Sequence, residues 1–185
     1  MYSIIKNKIV SGFLMVLGMA VLSGASYASV IKDDGLQAPS LPGECSGIQA
    51  PADTVPFFHT YAIGVQVYRW NGASWDFIAP IANLYASPLF RGKVGTHYAG
   101  PTWESNSGSK VVGRRLAGCT PDITAVPWLL LESDSVTGPG PFSKVSHIQR
   151  VNTSGGLAPT MPGTTVGEEK GVPYTTEYYF YRTAK

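Results

Sequence analysis

The amino-acid sequence predicts an all-β fold, a single antiparallel β-sandwich or barrel-like domain that follows a cleaved N-terminal signal helix. Short runs of β-branched and aromatic residues alternate with a period of two, and Gly- and Pro-rich turns separate them. Beyond the N-terminal segment no stretch sustains the 3.6-residue apolar period of an amphipathic helix. We therefore divide the chain into a signal peptide (1–28), an extended lead-in (29–54) and a β domain (55–185).

The first 28 residues have the three parts of a secretory signal. Lys6 and Lys8 supply the positive charge, residues 9–22 are apolar, and residues 26–28 offer small side chains for cleavage. The apolar stretch is shorter than the roughly 20 residues that a membrane-spanning helix needs, which favours cleavage over an anchor. The sequence thus predicts a secreted or periplasmic protein without a membrane attachment after cleavage.

The charge of the chain excludes several classes of partner. The full chain has 14 basic and 12 acidic residues, and loss of Lys6 and Lys8 with the signal leaves 12 of each. A neutral chain without a basic run lacks the electrostatic footprint of a protein that binds nucleic acid or an anionic membrane surface. A small molecule or a glycan is the kind of partner that remains, and the composition leaves the oligomeric state open.

Two cysteines, Cys45 and Cys119, predict one disulfide because the signal directs the chain to an oxidising compartment. Two free thiols are the alternative, and the spacing excludes a C-x-x-C redox motif.

The first half of the β domain contains the strongest turn signal. A strand is predicted over residues 57–69 and another over 75–78, and Asn71-Gly72 between them predicts a type I′ hairpin turn. Residues 82–85 fit either a short strand or one helical turn.

The remaining strands are predicted from shorter patterns. Strands are expected over 93–98, 102–104, 110–114, 126–132 and 142–152. Residues 126–132 are nearly all apolar, which predicts burial on both faces of that strand. A Gly- and Pro-rich loop is expected over 153–173, before a closing strand (174–182) in which aromatic residues alternate.

Several sequence blocks carry a family resemblance. They are residues 95–104 (GTHYAGPTWE), 127–131 (PWLLL), 148–153 (IQRVNT) and 172–174 (VPY). Taken in order, they resemble a secreted family of bacterial and fungal proteins catalogued as a domain of unknown function, and the resemblance covers most of residues 55–183. It implies no activity that can be carried over to this chain.

Fungal members of that family are often labelled malate dehydrogenase, but the sequence gives this label no support. No G-x-G-x-x-G turn follows a strand and opens a helix, so no dinucleotide site and no cofactor are predicted. Many relatives carry a Cys near the position of Arg69 and another near residues 161–163, where this chain has neither. A link between Cys45 and Cys119 would then be particular to this chain.

His97 and Glu104 form the one candidate catalytic pair. A Gly-Pro turn separates them, so they could face each other across a hairpin and act as acid and base or as metal ligands. The structural alternative is a hydrogen-bonded histidine that steadies a tight turn. A three-histidine metal site from His59, His97 and His147 has only a weak signal, because no short ligand spacing is present, and no metal is predicted.

Aromatic and polar side chains supply the candidate ligand-binding residues, which are His97, Tyr98, Trp103, Glu104, Gln149 and Arg150. Trp103 and Tyr98 could stack on a flat ligand, whereas the leucines beside Trp128 favour a core position for that residue. Arg150 on a strand requires a partner, and either an ion pair with Glu104 or Glu177 or a bound ligand would provide one.

Together these features favour an exported, non-enzymatic β domain with a ligand-binding or structural role. The alternative is a hydrolase or lyase that uses His97 and Glu104. The two hypotheses differ in geometry, because the enzyme requires both side chains to converge on one pocket.

Overall fold

The computed structural model describes residues 35–185, which form one antiparallel sheet of eight strands closed into a barrel. Each strand pairs with the next along the chain, and the last pairs with the first. The strands are β1 (Thr54–Trp70), β2 (Trp75–Tyr85), β3 (Lys93–Tyr98), β4 (Thr102–Ser105), β5 (Lys110–Cys119), β6 (Trp128–Thr137), β7 (His147–Gly155) and β8 (Glu169–Thr183). The all-β prediction is confirmed, and the architecture is the barrel rather than the sandwich.

The predicted signal peptide lies outside the described residues. Within residues 35–185, no helix has the length and apolar character needed to cross a membrane.

The alternation predicted for the closing strand is confirmed. Tyr174, Thr176, Tyr178 and Phe180 are buried, and the hydrophobic members of this set belong to the main core cluster inside the barrel. The intervening residues point outward because successive side chains of a strand lie on opposite faces. This single strand therefore supplies one side of the barrel interior.

The first hairpin is confirmed, but its predicted turn type is wrong. Trp70 pairs directly with Trp75, so the loop has four residues instead of two. The Asn71 side-chain oxygen accepts hydrogen bonds from the backbone N–H groups of Ala73 and Ser74, both at 2.9 Å. Of the Asn-Gly pair, Gly72 alone has a positive φ, whereas a type I′ turn needs two such residues. Asparagine is thus used for its side-chain acceptor.

The segment from Phe142 was predicted as the start of a long strand, and this is wrong for its first five residues. β7 begins only at His147. Phe142 instead turns into the barrel, where it is fully buried and its ring lies 5.7 Å from that of Phe58 and 4.7 Å from that of Phe180. Phe142 therefore closes one end of the barrel, a role that its apolar character permits as readily as a strand position.

The long Gly- and Pro-rich loop is shorter than predicted. β7 continues to Gly155 and β8 starts at Glu169, so the connection spans 156–168. It packs on the first hairpin, where the Trp75 indole N–H donates to the carbonyl of Met161 at 2.9 Å. Residues 82–85, left open between strand and helical turn, form the end of β2.

The lead-in was predicted to be extended, and this is wrong for residues 43–48. They form a 3₁₀ helix, in which Cys45 and Ile48 are fully buried. This helix covers the outer face of β5 and β6, where Leu130 and Val151 complete a second apolar cluster. The apolar run of β6 is thus explained, because one face lines the barrel interior and the other lies beneath the helix.

A disulfide between Cys45 and Cys119 holds this helix against β5, with a Cα–Cα distance of 5.4 Å. The predicted pairing is confirmed. The bond joins residues separated by 74 positions, so it restricts a large part of the unfolded chain.

We expect replacement of Cys45 and Cys119 together by Ala to lower the free energy of unfolding by about 4 kcal/mol, the chain-entropy value for a loop of this length. Denaturant unfolding of the oxidised protein and of the double variant measures the difference. Wild-type protein in excess reductant should unfold near the midpoint of the variant. A double variant as stable as the oxidised wild type would show that packing alone holds the 3₁₀ helix.

Candidate functional site

The barrel has a cavity at the end opposite Phe142, where the β1–β2, β3–β4, β5–β6 and β7–β8 connections lie. The cavity has a volume of about 280 Å³. We call it the mouth cavity, and an adjoining cavity of about 290 Å³ shares four of its wall residues. The wall of the mouth cavity is formed by Phe77, Ile78, Pro80, His97, Gly100, Pro101, Trp103, Arg115, Leu129, Leu131, Arg150 and Tyr178.

Three aromatic side chains form the most deeply buried part of this wall. His97 and Trp103 are register partners on β3 and β4, and their rings stack with centroids 4.4 Å apart at 15°. The Tyr178 ring meets both edge-on, at 5.1 Å from His97 and 5.3 Å from Trp103. None of the three is more than 2% exposed. The cluster is defined here as the aromatic floor.

The His97 ring is held in one orientation by the adjacent turn. Its Nδ1 atom lies 2.8 Å from the carbonyl oxygen of Thr102. A carbonyl can only accept, so Nδ1 carries the proton and Nε2 of the neutral ring is an acceptor. The structural role predicted as the alternative for His97, a ring that steadies a tight turn, is therefore present in this geometry.

Arg150 brings a positive charge into the same space. It pairs directly with Tyr178 across β7 and β8, so the two side chains share the inner face. Its Nε and Nη2 atoms both donate to the carbonyl of Pro127, at 3.1 and 2.7 Å. The expected ion pair with Glu104 or Glu177 is not formed.

The outer cluster around Glu177 explains why that carboxylate does not reach Arg150. Glu177 lies on the opposite face of β8, where one oxygen is 2.8 Å from His59 Nε2 and the other accepts from Asn152 at 2.9 Å. The Tyr179 ring stacks on His59 with centroids 4.1 Å apart. Both oxygens of Glu177 are therefore engaged outside the barrel.

Glu104 is also on the outside, so the candidate catalytic pair does not converge. Glu104 pairs with Thr96, whereas His97 pairs with Trp103, and this offset of one residue places the two side chains on opposite faces. Tyr98 donates to the Glu104 carboxylate at 2.7 Å, and Lys110 lies 3.4 Å from the same oxygen. The Tyr98 hydrogen bond and then the Lys110 contacts lower the pKa of Glu104, so it is a carboxylate at neutral pH.

Gln149 contacts the 3₁₀ helix on the outside of the barrel. Its amide donates to the carbonyl of Ile48 at 2.6 Å, and the Tyr181 hydroxyl donates to its oxygen. It therefore anchors the end of the 3₁₀ helix and lies away from the mouth cavity. Of the six candidate ligand-binding residues, the structure brings His97, Trp103 and Arg150 together and places the other three elsewhere.

The three histidines considered for a metal site also lie apart, with His97 inside the barrel and His59 in the outer cluster. Among residues 35–185, no group of three or more His, Cys, Asp or Glu side chains could hold a metal ion.

Comparison with known protein families gives a match for this chain. The family model described as "Protein of unknown function (DUF3455)" matches residues 51–182. The chain belongs to the DUF3455 family. The match runs from just before β1 into the last residues of β8, so the family model covers the whole barrel. Comparison with curated proteins and with solved structures gave no match.

The sequence did not single out several wall residues of the mouth cavity in this DUF3455 domain. Arg115 is the most important of these, because it is the second charged side chain of the wall. It pairs with Leu131 on the inner face, whereas its neighbour Arg114 pairs with Glu132 on the outer face. Two adjacent arginines in a strand must point to opposite faces, so the pair Arg114-Arg115 in a predicted strand already indicated that one arginine faces the barrel interior.

Burial gives His97 an unusual protonation behaviour in this domain. Loss of hydration lowers the pKa of His97 to about 3, and the positive charge of Arg150 acts in the same direction against the Thr102 hydrogen bond. His97 is therefore neutral at neutral pH, and the charged side chains of the mouth cavity are the two arginines.

The lowered pKa of His97 predicts a loss of stability in acid. The pKa of His97 in the folded state lies below the unfolded value of about 6.5. The contribution of neutral His97 to the free energy of unfolding is therefore complete above about pH 6.5. Below it, stability should fall by about 1.4 kcal/mol for each pH unit until the folded pKa is reached. Denaturant unfolding at steps between pH 6 and pH 4 should give a shallower slope for His97→Phe than for the wild type.

His147 provides the matched control for this experiment. It is only partly buried, and its pKa is lowered by burial while the charge of Asp53 opposes that effect. His147→Phe should therefore keep a slope close to that of the wild type. Equal slopes for His97→Phe and the wild type would contradict the assignment of the acid sensitivity to His97.

Proposed function

We propose that this protein is an exported, non-enzymatic binding protein that takes one small molecule into the mouth cavity. The observation that carries the proposal is the form of the barrel, with Phe142 at one end and a cavity at the other. An eight-stranded barrel has an interior wide enough either to be filled by side chains or to hold one small ligand. Here the rings of Phe58, Phe142 and Phe180 pack inside one end, and the mouth cavity lies at the other.

The size of the cavity suits a single small molecule. Its volume of about 280 Å³ lies near the lower end of the roughly 300–1,000 Å³ typical of small-molecule sites, and the adjoining cavity extends it. A mostly apolar wall with a few polar groups is also typical of such sites. A glycan chain fits this geometry less well, because the cavity of about 280 Å³ suits one small body and the wall offers no long open aromatic surface on which successive sugars could stack.

Buried polar atoms support a ligand in preference to a solely structural role. The Trp103 indole N–H and the Tyr178 hydroxyl belong to the aromatic floor, and neither has a hydrogen-bond partner within residues 35–185. Leaving a buried donor unsatisfied costs about 1–3 kcal/mol. The packing beneath the cavity is thus less than ideal, which is typical of functional sites.

The hydrolase or lyase hypothesis finds less support in the same geometry. Its two residues lie on opposite sides of the sheet, and an ionised Glu104 cannot act as a general acid. His97 is neutral, with Nδ1 occupied by the Thr102 carbonyl. Export is supported by the sequence of the first 28 residues and by the disulfide, which fits an oxidising compartment.

Blocking the cavity entrance tests the proposal. Ile78 lines the mouth cavity and is 42% exposed, whereas Ile63 is 40% exposed on the outer face of β1. We expect Ile78→Trp to weaken ligand binding at least about tenfold, because the indole fills the entrance. Ile63→Trp should bind like the wild type.

A panel of small aromatic and aliphatic fragments, followed by ¹H–¹⁵N NMR, provides the measurement. Binding fragments should shift the indole resonance of Trp103 and leave that of Trp128, which packs on the 3₁₀ helix cluster, in place. The proposal fails when no fragment shifts the Trp103 resonance, or when Ile78→Trp leaves the shifts unchanged.

A further inference from the structure

Arg150 has hydrogen-bonding capacity that the protein does not use. A guanidinium has five N–H donors. In residues 35–185 the hydrogen bonds of Arg150 come from Nε and Nη2 and both go to one backbone carbonyl, that of Pro127. The remaining donors belong to a side chain that lines both the mouth cavity and the adjoining cavity.

The cavity walls also lack a negative charge to balance this arginine. Arg115 and Arg150 line both cavities, and neither wall contains an Asp or a Glu. The ion pairs found within the described part of the chain join other residues, namely Arg69–Glu169, Lys110–Glu104 and Arg114–Glu132, and Glu177 is hydrogen-bonded to His59. Arg150 is half-buried in the wall and Arg115 is exposed at the entrance, so the cavity carries positive charge without a carboxylate.

For the half-buried Arg150, a position without a counter-charge is unfavourable. A charge removed from water without a partner is costly, which is why buried charges in proteins are normally paired. The chain carries as many acidic as basic residues beyond Lys6 and Lys8, so the overall composition offers carboxylates that this cavity does not contain. The missing partner is then expected from outside the protein.

The rest of the wall indicates the body of the ligand. The Phe77 ring is 54% exposed in this wall, and Pro101 and Leu129 add apolar surface beside it. These groups favour a flat, apolar body, whereas the planar fork of a guanidinium matches the two oxygens of a carboxylate.

We infer that the ligand is a small carboxylic acid with a flat apolar body. Its carboxylate is bound by Arg150, with Arg115 adding positive charge at the entrance, and its body lies against Phe77, Pro101 and Leu129 above the aromatic floor. The inference rests on the proposed function and specifies the chemical class of the ligand.

The test compares three probes of nearly equal shape and different charge. These are 2-naphthoate, which is an anion at pH 7, the neutral 2-naphthamide, and the cationic 2-naphthylmethylamine. Calorimetric titration of the wild-type protein at constant ionic strength should give an affinity for 2-naphthoate at least about tenfold above that for 2-naphthamide, with no binding of the amine. Charge-assisted hydrogen bonds are about twice as strong as neutral ones, which is the basis of this preference.

Substitutions locate the charge that causes the preference. Arg150→Met should remove most of the preference for 2-naphthoate and leave the affinity for 2-naphthamide nearly unchanged. Arg150→Lys should retain part of it, because the charge remains without the planar fork. Arg114→Met and Arg69→Met, which remove the same charge from the outer surface, should bind all three probes like the wild type.

The possible outcomes distinguish failure of this inference from failure of the proposed function. Equal binding of 2-naphthoate and 2-naphthamide to the wild type would overturn the requirement for a carboxylate. The proposed function would then stand for a protein that binds neutral ligands. Retention of the preference in a folded Arg150→Met variant would overturn the role of Arg150. Absence of binding for all three probes would overturn the inference and count against the proposed function, and this comparison needs no variant to fold.

Discussion

The pairing of β1 with β8 is the constraint on which the rest of the structure depends. Residues 54–69 pair antiparallel with residues 169–183, with one register shift between Pro56 and Phe58, and this pairing closes the sheet and leaves no free edge. Closure also fixes the interior volume, so the inner residues of all eight strands must share it. The rings of Phe58, Phe142 and Phe180 fill one half, and the other half is framed by the aromatic floor. A cavity at one end follows from this uneven filling.

The outside of the barrel depends on a second interaction, between β6 and the segment that precedes the barrel. A strand with apolar residues on both faces would expose one face in a barrel with a hydrated exterior. The 3₁₀ helix over residues 43–48 covers that face, and the Cys45–Cys119 disulfide and Gln149 hold it there. The segment is thus part of the folded unit, although its Pro- and Gly-rich composition resembles a linker.

Sequence patterns predicted the strands well and the partners of individual side chains poorly, for a physical reason. Alternation and turn residues are local, and they identified the hairpins and the inner face of β8. Which residues oppose each other depends on register, and a shift of one residue reverses the face, as the separation of His97 from Glu104 shows. Phe142 was missed because an apolar residue after a turn can begin a strand or close a barrel equally well. The confirmed disulfide needed no register, because only two cysteines were available.

The distribution of favourable and unfavourable features within the barrel supports a binding site at its open end. The disulfide, the Phe142 contacts and the 3₁₀ helix cluster stabilise the fold, and none of them involves the wall of the mouth cavity. That wall contains an arginine without a carboxylate and two of the five buried side-chain polar atoms that lack a hydrogen-bond partner among residues 35–185. Proteins depart from ideal packing mainly at functional sites, because groups positioned for a ligand cannot also satisfy one another. Stability alone does not require a charged side chain at this position, so the arginine supports the proposed binding role in addition to its hydrogen bonds to the Pro127 carbonyl.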